Sequence, residues 1–243
     1  MFTRLFATAL LLAFSLPAIA RAEQLRFSGY DFKIKQGNGL GPGPNDWAKS
    51  QAFVDGKGRL HLRFSEKNGK WYAGEIQSVS KFGFGTYEIE FTGDIGGQDK
   101  NVVFGFFNYP SADVGPDATN EIDVEFARWG NLSYKPLNYT VWPAKTGLKG
   151  AHKTFGFPKG MRKSIHRFVW KRDRVIYYSA EISDDGNVVR ETSWAFKPDD
   201  FKSRISSSPM AIYFNLWGFQ GRAPSNGNST EVIVNAFKFT PAE

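Results

Sequence analysis

The sequence contains no cysteine among its 243 residues and only three histidines, His61, His152 and His166. The lack of cysteine excludes disulfides and thiolate metal sites. The histidines are far apart along the chain and lack the close spacing of a zinc-binding motif, so a histidine-based metal enzyme is disfavoured as well. We therefore expect a fold that is stabilised by packing alone.

Long apolar segments are also scarce, apart from one near the N-terminus. Arg4 is followed by an apolar run over residues 5–16 and then by Ala20-Arg21-Ala22, a small-x-small sequence suited to cleavage. The run is well short of the roughly 20 apolar residues that span a bilayer, and the pattern is typical of a secretory signal peptide. We expect a signal peptide over residues 1–22, with cleavage before Glu23 or two residues earlier. The mature protein should be secreted, extracellular or periplasmic, with no membrane association.

Positive charge is in excess, since 31 lysines and arginines stand against 24 acids and give a net charge of +7. A basic balance permits nucleic acid, anionic polysaccharide or a cell surface as a partner. The basic residues are scattered, however, and the short clusters at residues 162–163 and 171–174 are typical of a solvated surface. The chain lacks a recognised nucleic-acid-binding motif, so we do not expect nucleic acid as a partner.

Aromatic residues and glycine are abundant: aromatics make up 16% of the chain, and there are 25 glycines. This composition favours strands and turns over helices. Several segments alternate apolar and polar residues, which places their apolar side chains on one face of a strand. These segments are residues 59–64, 87–91, 121–126 and 232–239. Many short strands without βαβ alternation predict an all-β fold, a two-sheet antiparallel β-jelly-roll sandwich formed as a single domain over residues 23–243.

Three acidic residues, Glu121, Asp123 and Glu125, alternate with apolar residues in one of these predicted strands. Because strand side chains alternate between faces, the three carboxyl groups should share one face. Like charges repel and acidic residues are poor strand formers, so a strand kept only for stability would avoid this row. The alternative is a solvated acidic face, since short motifs also arise by accident.

The spacing of the two glutamates is suited to glycoside hydrolysis. Their Cα atoms should lie about 13 Å apart, and side chains that lean toward a shared substrate can bring the carboxyl groups within about 5 Å. That separation is the one retaining glycosidases need for a nucleophile and an acid/base. An acid between them would keep one glutamate ionised and the other protonated.

The run over residues 120–126 resembles the E-I-D-x-E-F signature of glycoside hydrolase family 16, which includes lichenases, laminarinases, agarases, carrageenases and xyloglucan transglycosylases. Residues 82–90, 165–178 and 210–217 resemble further segments of that family in the same order. The resemblance implies a concanavalin A-like jelly roll with Glu121 as nucleophile, Asp123 as assisting carboxylate and Glu125 as acid/base. Since no extra residue separates Asp123 from Glu125, the row is similar to that of lichenases and transglycosylases.

Polysaccharide clefts use aromatic rings as platforms for sugar faces, and amides and carboxylates to hold hydroxyl groups. We predict substrate-binding roles for Phe107, Tyr109, Trp129, Asn138, Tyr139, Trp142, Asn215 and Trp217. Glu88 is added because it resembles a cleft glutamate of the family. Core packing is expected instead for Phe104, Phe106 and Phe126. Family departures at Glu90 and over residues 221–226 leave the identity of the glucan open.

Three functions remain open on the sequence alone. The first is a retaining endo-β-glycanase that hydrolyses β-glucan-type polysaccharide. The second is a transglycosylase, which passes the same covalent intermediate to a sugar hydroxyl. The third is a non-catalytic lectin on the same fold, for which a disrupted acid row would be expected. We expect a polysaccharide substrate, a monomer and no cofactor required for catalysis, while a structural calcium stays open.

Overall fold

A computed structural model describes residues 24–160 and 162–243. The predicted signal peptide lies outside the described residues. The strands are β1 Gln24–Phe27, β2 Tyr30–Ile34, β3 Gly37–Leu40, β4 Asn45–Trp47, β5 Ala52–Val54, β6 Leu60–Lys67, β7 Lys70–Phe82, β8 Gly85–Gly93, β9 Val102–Tyr109, β10 Ile122–Ala127, β11 Leu137–Val141, β12 Ala151–Phe155, β13 Arg162–Trp170, β14 Val175–Ile182, β15 Val188–Phe196, β16 Met210–Gly218 and β17 Thr230–Pro241. Helical structure in the described part is limited to α1 Phe201–Arg204 and 3₁₀ turns at Lys49–Gln51 and Phe219–Gly221. None of these helical segments is long and apolar enough to cross a membrane.

The strands form two layers. The first, called the β10 sheet, has the strand order β1-β2-β7-β16-β9-β10-β11-β12. The second, called the β8 sheet, has the order β5-β6-β17-β8-β13-β14-β15. All neighbours within these two orders are antiparallel, which confirms the predicted jelly roll. A parallel pairing of β4 with the start of β7 is the departure from the expected pattern.

The two sheets pack face to face through aromatic side chains. Phe106 on β9 lies 5.4 Å, between ring centroids, from Phe168 on β13. Tyr139 on β11 stacks on Tyr177 of β14 at 4.5 Å. Phe104, Phe106 and Phe126 are buried, as predicted. Because the apolar residues of β9, β10 and β16 point into this core, the side chains between them point to the opposite face of the β10 sheet.

A polar network lies within the core beneath β10. The ring nitrogens of His166 lie 2.9 Å from the Ser164 hydroxyl and 2.8 Å from that of Ser179, which also accepts a hydrogen bond from Tyr139. Burial lowers the pKa of His166 to about 3. This histidine is therefore neutral, and its hydrogen bonds satisfy polar groups that would otherwise be costly to bury.

Strand β10 is held in an unbroken register and bounded by sharp turns. It pairs with β9 from Ile122 opposite Asn108 to Ala127 opposite Val103 without a bulge. The Asn108 side chain also accepts a hydrogen bond from the Ile122 backbone at 2.8 Å. Ala118 and Asn120 before the strand and Trp129 after it have φ values of +60°, +61° and +51°. A left-handed backbone at non-glycine residues is costly and concentrates at functional sites. The side chains between these turns are therefore candidates for a functional site.

Candidate active site

A cleft of about 640 Å³ lies on the face of the β10 sheet that points away from the core. Its lining includes Glu121 and Glu125. Four of the predicted substrate-binding residues also line it: Phe107, Tyr109, Asn215 and Trp217. The strand alternation of β9, β10 and β16 thus brings together residues that are up to 110 positions apart in the sequence.

Asp123 is buried between the two glutamates, with 3% of its surface exposed. Its Oδ2 accepts a hydrogen bond from the indole Nε1 of Trp142 at 3.0 Å. Its carboxyl group lies beside that of Glu121, and each of the two groups shifts the pKa of the other. The Asp123 Oδ1 atom is buried and has no hydrogen-bond partner among the described residues. A proton on Oδ1 that is donated to Glu121 would satisfy both groups.

The three carboxyl groups differ in how easily they ionise. Burial raises the pKa of Glu121 to about 8, although the neighbouring Asp123 side chain lowers it. Burial raises the pKa of Asp123 and of Glu125 well above the usual range, and a neighbouring carboxylate raises each further. Burial therefore favours the protonated form of Asp123 and Glu125, while the Asp123 side chain favours an ionised Glu121. Such a pair supplies one ionised and one protonated carboxyl group for acid/base chemistry.

A polar chain extends across the sheet from this acid row. Glu125, Gly105 and Asn215 lie opposite one another on neighbouring strands. A side chain at Gly105 would collide with Asn215, because its Cβ would lie 2.6 Å from the amide oxygen. Asn215 donates to Glu75 at 3.1 Å, and Glu75 forms an ion pair with Lys35 at 2.9 Å. Burial raises the pKa of Glu75, whereas Lys35 and Asn215 lower it.

Aromatic side chains form a wall of the cleft beside the acid row. Phe107 stacks on Tyr213 with ring centroids 5.3 Å apart, and Tyr109 contacts both rings edge-on. The Tyr109 hydroxyl donates to Asp117 at 2.8 Å. Rings arranged in this way offer flat apolar faces to the carbon side of a sugar ring.

Two more of the predicted residues, Trp129 and Asn138, line a second pocket of about 460 Å³. Trp129 donates to the Asn138 side-chain oxygen at 3.2 Å. Asn138 donates in turn to the backbone carbonyls of Ala127 and Pro136. The amide of Asn138 is thus used to hold the β10–β11 connection. Trp142 likewise holds Asp123 in place.

Three of the predicted substrate-binding residues line neither cavity. One is Trp142, whose indole instead donates to Asp123. Tyr139 belongs to the core: it follows Asn138 directly on β11, and adjacent strand residues point to opposite faces. Glu88 lies on β8, in the other sheet, where Arg167 donates hydrogen bonds to its carboxylate, one of them at 2.7 Å. The expectation that Tyr139, Trp142 and Glu88 line the cleft is therefore corrected.

Sequence reasoning missed Glu75, Tyr213 and Asp117, all of which line the cleft. Tyr213 follows from alternation, since it lies two residues before Asn215, which was predicted. Glu75 shares its face of β7 with Gln77, which also lines the cleft, but neither was marked by the sequence. Asp117 lies in the irregular segment before β10 and carries no such signal. In residues 24–160 and 162–243 no group of three or more histidines and acids is arranged to hold a metal ion. The expectation that catalysis needs no cofactor stays a prediction.

A family model for "Glycosyl hydrolases family 16" matches residues 44–233 of this chain. An endo-1,3-1,4-β-glycanase of Rhizobium meliloti is 29% identical over 181 residues, which are 71% of this chain and 58% of that protein. A β-glucanase of Bacillus licheniformis has the same fold, with 20% identity, coverage of 87% and 92% of the two chains, and a TM-score of 0.61. So does a protein described as a pseudo β-1,3-glucanase of Mycobacterium tuberculosis, with 16% identity, coverage of 87% and 91%, and a TM-score of 0.64. The chain belongs to glycosyl hydrolase family 16.

Proposed function

We propose that this protein is a secreted, retaining endo-β-glycanase that hydrolyses a β-glucan-type polysaccharide by double displacement. The observation that carries the proposal is the acid row formed by Glu121, which directly precedes β10, and by Asp123 and Glu125 on that strand. Glu121 and Glu125 line an open cleft, and Asp123 is buried between them beside Glu121. Family membership supports the same chemistry.

In the first step the Glu121 carboxylate attacks the anomeric carbon while Glu125 donates its proton to the glycosidic oxygen. The leaving chain departs, and a covalent glycosyl-enzyme forms. In the second step Glu125, now ionised, removes a proton from water, and this water displaces Glu121 from the same carbon. Two inversions retain the configuration. The hydrogen bond from Asp123 favours Glu121 as a carboxylate, both before attack and as it leaves.

The shape of the cleft favours cutting within a chain. Cavities lie on both sides of β10, so a polysaccharide can cross the acid row and continue in both directions. The wall of Phe107, Tyr109 and Tyr213 supplies ring faces, and the chain from Lys35 to Asn215 supplies polar partners for hydroxyl groups. Export follows from the predicted signal peptide, and N-terminal sequencing of protein recovered outside the cytoplasm checks it. Gel filtration checks the proposed monomer.

The name of the Rhizobium meliloti relative suggests mixed-linked β-1,3-1,4-glucan as the first substrate to assay. Purified protein is incubated with this glucan, laminarin, agar, carrageenan and xyloglucan, and reducing ends and product sizes are measured. We expect internal cleavage of at least one β-glucan, with Glu121→Ala inactive. NMR of the first product should show the β-anomer. An α-anomer would contradict a retaining mechanism.

The same assay addresses the other two candidate functions. An added acceptor oligosaccharide that is incorporated in preference to water would indicate a transglycosylase. Binding without turnover on any substrate would indicate a lectin-like protein. That alternative is real for this fold, since one structural neighbour is described as a pseudo β-1,3-glucanase. The intact acid row of this chain argues against it.

A further inference from the structure

The second cavity, called the β12 pocket, lies on the same face of the β10 sheet as the acid row. Strand pairing places His152 opposite Thr140 and Thr140 opposite Asp123. The next row of the same face leads from Glu125 through Asn138 to Thr154. The β12 pocket is thus two strands from the acids, about 10 Å away. A polysaccharide that crosses the acid row away from the main cleft would enter it.

The β12 pocket and the main cleft differ in the charged groups that line them. Lys135 and His152 are its titratable lining groups besides a tyrosine, and no aspartate or glutamate of the described residues lines it. Both side chains are exposed, and neither forms an ion pair within the part of the chain that the structure describes. The main cleft, by contrast, is lined by four carboxyl groups and two lysines. In the β12 pocket, unlike the main cleft, a negatively charged sugar would meet no carboxyl group.

The walls of the β12 pocket are held in place by the connection between β10 and β11. Arg128 donates hydrogen bonds to the backbone carbonyls of Leu132 at 3.2 Å and of Tyr134 at 2.6 Å. These bonds hold Tyr134 at the pocket although 53% of its surface is exposed. Trp129 is fixed by its hydrogen bond to Asn138. A solvent-exposed aromatic ring on a pinned loop, beside a lysine, is suited to contact a sugar without reorganising.

From the lining and its charge, we propose that the β12 pocket binds a sugar that carries a carboxylate. Trp129 and Tyr134 would contact the sugar ring, and Lys135 and His152 would contact its carboxylate. This inference rests on the proposed function, which supplies the β-glucan main chain of the substrate. It narrows the substrate to a β-glucan that carries acidic sugars. The excess of basic over acidic residues would favour the approach of such a polymer.

The test uses two disaccharides that differ in one carboxylate, cellobiouronic acid and cellobiose, with the full protein. NMR titration follows the imidazole signals of His152, which a His152→Gln variant assigns. We expect cellobiouronic acid to shift these signals and to bind about fivefold more tightly than cellobiose, since partly exposed charge pairs contribute up to about 1 kcal/mol. Lys135→Gln should remove most of this preference. Lys153→Gln is the matched control, because Lys153 precedes Thr154 on β12 and points to the opposite face.

Equal binding of the two disaccharides, or binding that leaves the His152 signals unchanged, would overturn the proposal. A preference that Lys153→Gln removes as fully as Lys135→Gln would also overturn it, since it would reflect net charge and not the pocket. The result is independent of hydrolysis. If the preference for cellobiouronic acid is found but no glucan is hydrolysed, the proposed function is wrong and the proposal for the pocket holds. If a glucan is hydrolysed but the preference is not found, the proposal for the pocket is wrong and the proposed function holds.

Discussion

The acids of the β10 cleft and the acids elsewhere on the surface have opposite surroundings. Glu88, on the β8 sheet, accepts hydrogen bonds from Arg167. Asp55 accepts hydrogen bonds from the backbone and side chain of Arg59, which hold the pKa of Asp55 well below its usual range. The three acids of β10 have no such cation among the described residues, and burial raises their pKa values.

This difference separates structural acids from reactive ones. An acid beside a cation stays ionised and stabilises the fold modestly. A buried acid without a cation costs stability whenever it ionises, so a sequence selected for stability alone would replace it. Its presence in a row that faces a cleft indicates chemistry. Substitutions on the two sides of the molecule should therefore have different consequences.

The largest difference is expected between Glu121→Ala and Glu88→Ala. Loss of the nucleophile should lower kcat by at least about 10⁴-fold, as removal of an essential nucleophile does in other enzymes. Glu88→Ala should leave kcat within about twofold, because Glu88 lies in the other sheet. Initial rates on the best glucan substrate measure both. Azide should restore turnover of an activated substrate by Glu121→Ala and give a product of inverted configuration. Comparable losses of kcat in Glu121→Ala and Glu88→Ala would contradict the distinction between reactive and structural acids.

The second prediction concerns the hydrogen bond between Asp123 and Glu121. Asp123→Leu removes the donor, so the pKa of Glu121 should rise, and the acidic limb of the profile of kcat/KM against pH should move to higher pH. We expect a loss of about 100-fold at neutral pH. Asp123→Asn retains a donor and should lose only about tenfold. If the acidic limb moves equally in both variants, the hydrogen bond is not what favours the ionised nucleophile.

Much of this site could be predicted from the sequence because alternation along one strand is a local property. The two-residue period of a strand was enough to predict that Glu121, Asp123 and Glu125 share one face and that the opposite face belongs to the core. The same rule shows that Asn138 and Tyr139, which are adjacent, cannot both face the cleft. Glu88 shows the limit: its strand was predictable, but the sheet to which that strand belongs is set by long-range pairing. Lys35 as a partner of Glu75 depends on the same pairing.

The third prediction is that stability responds to pH with opposite sign in the two groups of acids. The pKa of Glu121 is raised in the folded protein to about 8, so its contribution to stability is present below its ordinary value of 4.5 and lost as the pH rises toward 8. Glu121→Gln should therefore be more stable than the unsubstituted protein at pH 9, by up to about 5 kcal/mol or roughly 10–20 °C in Tm. At pH 4 the two should agree. Thermal unfolding followed by circular dichroism measures this.

Asp55→Asn is the matched substitution among the paired acids. The pKa of Asp55 is lowered, so its contribution is present above its ordinary value of 3.8 and lost as the pH falls. This variant should be less stable at pH 7, and the deficit should shrink in acid. A stability gain at high pH in Asp55→Asn, or none in Glu121→Gln, would contradict the assignment of the two groups.

The smallest effect is expected at Glu75, which combines features of both groups. It lies in the cleft, but it is paired with Lys35 and is three strands from β10, about 14 Å away. At that distance it cannot transfer a proton to the bond that is cut, so its role should be to hold sugar hydroxyl groups through Asn215. Glu75→Gln should raise KM about tenfold, the effect of one hydrogen bond to a charged group, and leave kcat within about twofold. If the turnover rate instead falls by two orders of magnitude while KM stays unchanged, Glu75 belongs with the reactive acids, and a neighbouring cation does not exclude an acid from chemistry.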